Sequence, residues 1–149
     1  MTRSPHLYAA VFGLCINKQG EVLLLKRKNT GYFDGGYSLP SGHIEDGEMA
    51  SQAIQREMKE ELGIEISNSW IVPFHTLQRV RHDRQYIDIV YAITDRQGEI
   101  ENREFDKCEA LERFSPHKLP SYITEEAKTF INAHFSGQIF SELDQREKK

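Results

Sequence analysis

Three glutamates in one short stretch, Glu57, Glu60 and Glu61, are the residues whose types and spacing most clearly suit chemistry. On a helix at 100° per residue, Glu57 and Glu61 stand one turn apart and Glu60 lies on the neighbouring turn. Ile54, Met58 and Leu62 run along an adjacent strip, which gives the helix an apolar edge beside its acidic face. Lys59 points away from that face, and Arg56, four residues before Glu60, is the cation that can reach back to it. Stacked like charges cost an isolated helix roughly 0.2–0.5 kcal/mol per pair, so a purely structural helix gains nothing from this layout. A divalent cation reverses the sign of that cost. Hard Mg²⁺ takes oxygen ligands and usually combines one or two carboxylates with substrate phosphates. The plain alternative is a solvated, Glu-rich surface helix.

Spacing separates the two. The stretch Gly42 to Ile64 reads GHIEDGEMASQAIQREMKEELGI. Gly42, Glu48, Arg56-Glu57, Glu60-Glu61, Gly63 and Ile64 fall in register with the Nudix box, and Met58 fills its aliphatic slot. The chain therefore resembles the Nudix hydrolases, which cleave nucleoside diphosphates linked to another moiety. The resemblance implies an α/β fold, a mixed sheet in a single-domain α/β/α sandwich. It implies a Mg²⁺ or Mn²⁺ cofactor held by Glu57, Glu60 and Glu61, with the Gly42 carbonyl as a further ligand. Glu60 is the preferred water-orienting base, alongside Glu57 in catalysis, and Arg56 positions a box carboxylate. An ordinary salt bridge is compatible with that last role. Glu48 is expected to brace the loop through backbone N–H groups.

The elements that must position these groups follow from pattern. Leu7 to Asn17 is a largely apolar, buried strand. Lys18-Gln19-Gly20 supplies a turn, and Glu21 to Lys26 returns as a second strand, expected to pair with the first as a hairpin. Asn29 to Gly36 is a glycine-rich loop. The box helix begins near Glu48 or Met49 and ends at Gly63. Trp70 to Arg81 and Gln85 to Thr94 are two long strands, and on the second Ile87, Ile89 and Tyr91 form the apolar face while Asp88 and Val90 mark a mixed one. Asp95 to Asp106 is a polar connection and Cys108 to Ser115 a short strand. Thr124 to Phe135 is a second helix, with Ala127, Phe130, Ile131 and His134 or Phe135 at helical spacing. Residues 1–140 are expected to form the domain, with the box at 42–64, and 141–149 a charged, flexible tail.

The 149 residues suit one domain, and the composition, 28% charged and 38% hydrophobic, is that of an ordinary globular chain. A net charge of −4 gives no basic field for a nucleic-acid polymer, so a small-molecule nucleotide is the expected partner. A membrane partner is not expected, and a homodimer is left open. Cys15 and Cys108 make neither a disulfide framework nor a metal cluster, which makes the cytoplasm the default compartment.

Outside the box, Glu104 is the candidate for an additional acid in a loop after the long strands, as the resemblance implies. Glu101, Asp106 and Glu109 compete with it, and a solvated charge is the alternative. Arg27 ends the second strand where relatives hold a phosphate-binding arginine. Arg79, Arg81 and Arg84 are candidates for a basic rim against the alternative of a solvated hairpin end. Tyr32, Phe33, Tyr37 and Phe105 offer faces for a nucleobase, though aromatics in a sheet protein usually serve the core. His43 is expected to hold its loop. Neither a G-x-x-x-x-G-K-[ST] loop nor a G-x-G-x-x-G fingerprint is present. Some Nudix subfamilies carry a proline (ADP-ribose hydrolases) or a tyrosine (dinucleoside polyphosphate hydrolases) downstream of the box. Val80 stands at that place, with Pro73 too early and Tyr86 too late. Elimination leaves the MutT-like group, which acts on nucleoside triphosphates, oxidised purine nucleotides among them. Hydrolysis of a nucleotide sugar or ADP-ribose, or nucleotide sensing without turnover, stays as the alternative.

Overall fold

Strand β1, Leu7–Cys15, is apolar on both faces. Such a strand is stable only where both sides of its sheet are covered. The computed structural model, which describes residues 6–146, places it there. β2 (Val22–Arg27) and β3 (Tyr37–Ser38) precede β4 (Ser41–His43), which pairs antiparallel with β1. After helix α1 (Ala50–Leu62) come β5 (Ile71–Val80) and β6 (Gln85–Ile93). β6 pairs with β1 in parallel along its whole length. β7 (Cys108–Phe114), helix α2 (Glu125–Ser136) and β8 (Phe140–Asp144) follow. The strands form a mixed five-stranded sheet, β4-β1-β6-β5-β8, and a three-stranded antiparallel sheet, β3-β2-β7.

Alternation along the strands divides the core in two. Ala10, Phe12, Leu14, Leu77 and Val90 pack with Phe130 and Ile131 of α2. Val11, Cys15, Leu23 and Tyr91 pack with Ile54, Met58 and Leu62 of α1. Phe12 and Phe130 meet at 4.8 Å between ring centroids. Replacing the fully buried Phe130 with Ala is expected to lower stability by about 3–5 kcal/mol in chemical denaturation. Phe135→Ala on the same helix, at a largely exposed side chain, is expected to stay within about 0.5 kcal/mol.

α1 is bounded by local chemistry. The Gln52 side chain accepts the Met49 N–H at 2.9 Å, which satisfies a donor that the first turn leaves free. At the other end Gly63 takes φ 71° and donates its N–H to the Lys59 carbonyl. Only glycine adopts that left-handed cap without a steric penalty.

Three expectations are corrected. The β1–β2 hairpin is reduced to one bridge, Ile16 to Val22, because β4 and β6 occupy both edges of β1 while β2 takes β3 and β7. The face of β6 that carries Asp88 and Val90 is the more deeply buried one, with both residues at 0% exposure. The segment from 141, expected as a flexible tail, instead belongs to β8, whose Phe140–Asp144 run parallel to Thr76–Val80. Buried His75 anchors it through ring contacts of 2.7 Å to the Gln138 carbonyl and to Ser141 Oγ. The charge that suggested a tail lies on the exposed side of an edge strand, while Ser141 and Leu143 face inward. Residues 147–149 of the expected tail lie outside the described residues.

Candidate active site

Arg56 is the hub of the box. Its Nε and Nη2 fork around Glu48 at 2.7 and 3.0 Å, and Nη2 also donates to the His43 carbonyl at 3.0 Å. Nη1 donates to Glu57 Oε1 at 2.6 Å and to Glu60 Oε2 at 3.3 Å. One guanidinium thereby fixes the loop before α1 and aims two of its acids, as a planar multi-donor group can and an ammonium cannot. Glu48 closes the loop by accepting the Glu45 N–H, and Arg56 together with that bond holds its carboxyl down at about 2.

Glu57 and Glu61 project under β4 and are nearly buried, while the Glu60 side chain is half exposed at the outer edge. The approach is close at Gly42, where an added Cβ would fall 2.0 Å from the Glu57 carboxyl carbon. Glu61 accepts the Ser41 N–H at 3.2 Å. Burial, the charge of Glu57 and that of Glu104 push its carboxyl well above the usual range. Glu104 itself is raised by burial first and then by Glu57, Asp106 and Glu60. These shifts tie the outer acid electrostatically to the box. Its rivals are engaged elsewhere or lie outward: Glu101 pairs with Arg103, Glu109 with Lys26, and Asp106 is exposed.

Glu61 and Glu104 line a cavity of about 470 Å³. Arg27, Arg81, Arg84 and Lys107 line it as well, with Lys107 next to Glu104. Arg27 donates to the Tyr32 carbonyl at 2.7 Å and to Ser38 Oγ at 3.2 Å, and Arg81 lies 4.4 Å over the Tyr32 ring. Arg79 is neither an exposed rim nor a solvated hairpin end. It is 4% exposed at the cavity floor and ion-paired to Asp88 and Glu126. Of the aromatic candidates only Tyr32 lines the cavity. Phe33 stacks on Tyr122, Tyr37 hydrogen-bonds Glu112, and Phe105 is exposed. Tyr86, Lys107 and Glu126 line the cavity without having been singled out from the sequence. A signal existed for one buried pair: Asp88, mid-strand on β6, lies diagonal to Arg79 across the β5–β6 hairpin. His43 stacks on Tyr8 at 5.1 Å, and burial lowers its pKa.

The donor set suits a hard divalent cation. Glu61 and Glu104 crowd the cavity wall with no cation paired to them in the ion pairs of the described residues. Among the described residues no three acids, histidines or cysteines converge as a ready-made cage. Carboxylates that supply part of a coordination sphere, completed by substrate phosphate and water, are the arrangement Mg²⁺ prefers.

Two outcomes follow from these acids. Glu104→Gln is expected to lower kcat more than it raises KM in steady-state kinetics. Wild-type kinetics in that variant beside a crippled Glu109→Gln or Asp106→Asn would move the role to the other acid. The second concerns pH. A carboxyl raised on folding contributes stability that is complete below its unfolded value and is lost as pH rises through the folded one. Glu61, raised well above 4.5, and Asp88, raised by burial to about 6, both act in this sense. The Tm of the metal-free protein is therefore expected to fall as pH rises from about 4.5 past about 6, and less steeply in Glu61→Gln. A Tm that climbs across that window would contradict the assignment.

The layered mixed fold and the arginine-clamped acidic helix facing a basic cavity define a Nudix hydrolase, an enzyme of phosphoanhydride bonds. The chain belongs to this family: the NUDIX domain matches residues 6–134. It is 31% identical over 123 residues to the ADP-ribose pyrophosphatase of Methanocaldococcus jannaschii, covering 83% of this chain and 70% of that protein. It is also 31% identical over 71 residues to the 8-oxo-dGTP diphosphatase of Proteus vulgaris, 48% of this chain and 59% of that one. Its fold is similar to the crystal structure of the MutT NUDIX hydrolase from Burkholderia pseudomallei, with a TM-score of 0.77 and 26% identity. That match covers 85% of this chain and 97% of the other. Among the described residues no helix is long and apolar enough to cross a membrane.

Proposed function

We propose that this Nudix hydrolase cleaves nucleoside triphosphates to the monophosphate and pyrophosphate with Mg²⁺ or Mn²⁺. The observation that carries the reading is one cavity lined both by the acids Glu61 and Glu104 and by the cations Arg27, Arg81 and Lys107. In this reading Glu57, Glu60 and Glu61, with the Gly42 carbonyl, hold the metal, which would neutralise phosphate oxygens and supply an activated water. Arg56 positions Glu57 and Glu60, a role supported by its contacts of 2.6 and 3.3 Å. Glu60, half exposed, orients the attacking water and accepts its proton, and Glu104 adds a further acid at the cavity. Arg27 and Arg81 take phosphate oxygens, and both already face the cavity. The two cysteines are free and buried, which suits a reducing cytoplasm.

A second reading has its own observation. A hollow of about 280 Å³ adjoins the cavity and shares Tyr32 and Arg81 with it, giving room for a second moiety linked through the diphosphate. Under it the substrate is a nucleoside diphosphate derivative such as ADP-ribose, the compound named for the Methanocaldococcus relative. A screen with Mg²⁺ over standard and oxidised nucleoside triphosphates, nucleotide sugars, ADP-ribose and dinucleotides separates them. The first reading expects the highest kcat/KM on a triphosphate, and turnover confined to ADP-ribose or nucleotide sugars replaces it with the second. Absence of any turnover would favour nucleotide sensing, which the retention of Glu57, Glu60 and Glu61 argues against.

A further inference from the structure

One aromatic ring holds both of the arginines assigned to phosphate. The guanidinium carbon of Arg81 lies 4.4 Å from the centre of the Tyr32 ring, and that of Arg27 lies 5.4 Å from it. Among the described residues the Arg81 head group has no hydrogen bond or ion pair, so the ring is what it rests on. Arg27 donates from Nε to the Tyr32 carbonyl and from Nη1 to Ser38 Oγ. A guanidinium has five N–H donors, so all those of Arg81 and the Nη2 pair of Arg27 stay open to a ligand.

The manner of holding decides what these cations can do. A carboxylate partner would position an arginine too, but it would occupy the fork and cancel the charge before a phosphate arrived. An aromatic face attracts the same cation through its quadrupole and does neither. Two guanidiniums at one ring also repel each other, and an anion that binds both relieves that repulsion. The ring itself is fixed from behind. Its hydroxyl donates to the Glu126 carboxylate, 3.0 Å from both oxygens. Burial, and then the charge of Glu126, push the phenol above its usual range, so it stays a protonated donor. Glu126 is held in turn by Arg79 and by Gln145 Nε2, each at 3.2 Å, the second reaching in from the end of β8. A phenol that donates to a carboxylate has a more electron-rich ring, which strengthens its hold on cations.

We propose that Tyr32 is a positioning residue whose ring holds the Arg27 and Arg81 guanidiniums, donors open, against the phosphate chain of the substrate. The proposal rests on the phosphate reading of the cavity and adds to it the group that places its cations. Tyr32 itself touches no phosphate in this role. It acts through the two arginines.

The test is calorimetric titration of inorganic tripolyphosphate with Mg²⁺ into the wild type, Tyr32→Phe, Tyr32→Leu, Arg27→Ala and Arg81→Ala, each with a cooperative melt confirming the fold. Tripolyphosphate has neither sugar nor base, so its Kd reads the phosphate side apart from any stacking of Tyr32 on a nucleobase. Tyr32→Leu is expected to raise the Kd about five-fold or more, while Tyr32→Phe, which keeps the ring, stays within about two-fold of the wild type. A purely structural role of Tyr32 in tying its loop to α2 makes the two variants fall together, because both lose the bond to Glu126. Equal losses in Tyr32→Phe and Tyr32→Leu, or an unchanged Kd in Tyr32→Leu, overturn the proposal alone where Arg27→Ala and Arg81→Ala still weaken binding. Tripolyphosphate that fails to bind the wild type, or binds both arginine variants as tightly, overturns it together with the phosphate reading beneath it.

Discussion

Glu61→Gln is expected to reduce turnover by at least about 10²-fold, and chelation of divalent metal is expected to abolish it. The reason lies in the pairing of costs. Glu61 sits beside Glu57 and Glu104 in a nearly buried position, and its raised carboxyl shows that the folded protein resists placing a charge there. A fold keeps such an arrangement when a cation relieves it. Removing the charge therefore weakens metal binding while sparing the metal-free fold: the Tm of metal-free Glu61→Gln is expected to equal or exceed that of the wild type once pH is high enough to ionise the Glu61 carboxyl. Steady-state kinetics with a metal titration and a parallel melt read both effects. Unchanged turnover and metal affinity in this variant would remove Glu61 from the site.

Gly42→Ala is expected to be nearly as damaging through geometry alone. The added Cβ would meet the Glu57 carboxyl at 2.0 Å, with the Arg56 clamp at 2.6 Å behind it. β4 has no freedom to retreat locally because Gly42 pairs with Val11 on β1. The strain is expected to cost about 1–3 kcal/mol of stability. Displacement of Glu57 by an ångström or so is expected to cost about 10²-fold in kcat. Kinetics on a sample with verified folding distinguishes the two effects, and full activity in Gly42→Ala would show that Glu57 need not stay where it lies.

The parts of this molecule that were legible in its sequence are those where neighbours in sequence are neighbours in space. The box is one loop and one helix, so Arg56, Glu57, Glu60 and Glu61 could be placed from spacing before any coordinates. The ends of α1 and α2 followed from Gly63 and Thr124 for the same reason. What was hidden depended on pairing between distant segments. β1 abandons its adjacent strand for β6, some seventy residues away, and nothing local announces that choice. β8 was obscured because an edge strand needs only one inward face, and Ser141 and Leu143 are too little to stand out in a charged segment. Arg79 looked like a hairpin charge because its partners, Asp88 on β6 and Glu126 on α2, converge only in the folded chain.

Phosphorus NMR of the reaction of a nucleoside triphosphate with the Mg²⁺-loaded enzyme tests the central claim most directly. A cavity lined by both acids and cations suits a triphosphate chain broken between the α and β phosphorus atoms. The account predicts resonances of nucleoside monophosphate and pyrophosphate growing together from the first time point, and their loss in Glu61→Gln. Orthophosphate and a nucleoside diphosphate as first products would contradict it.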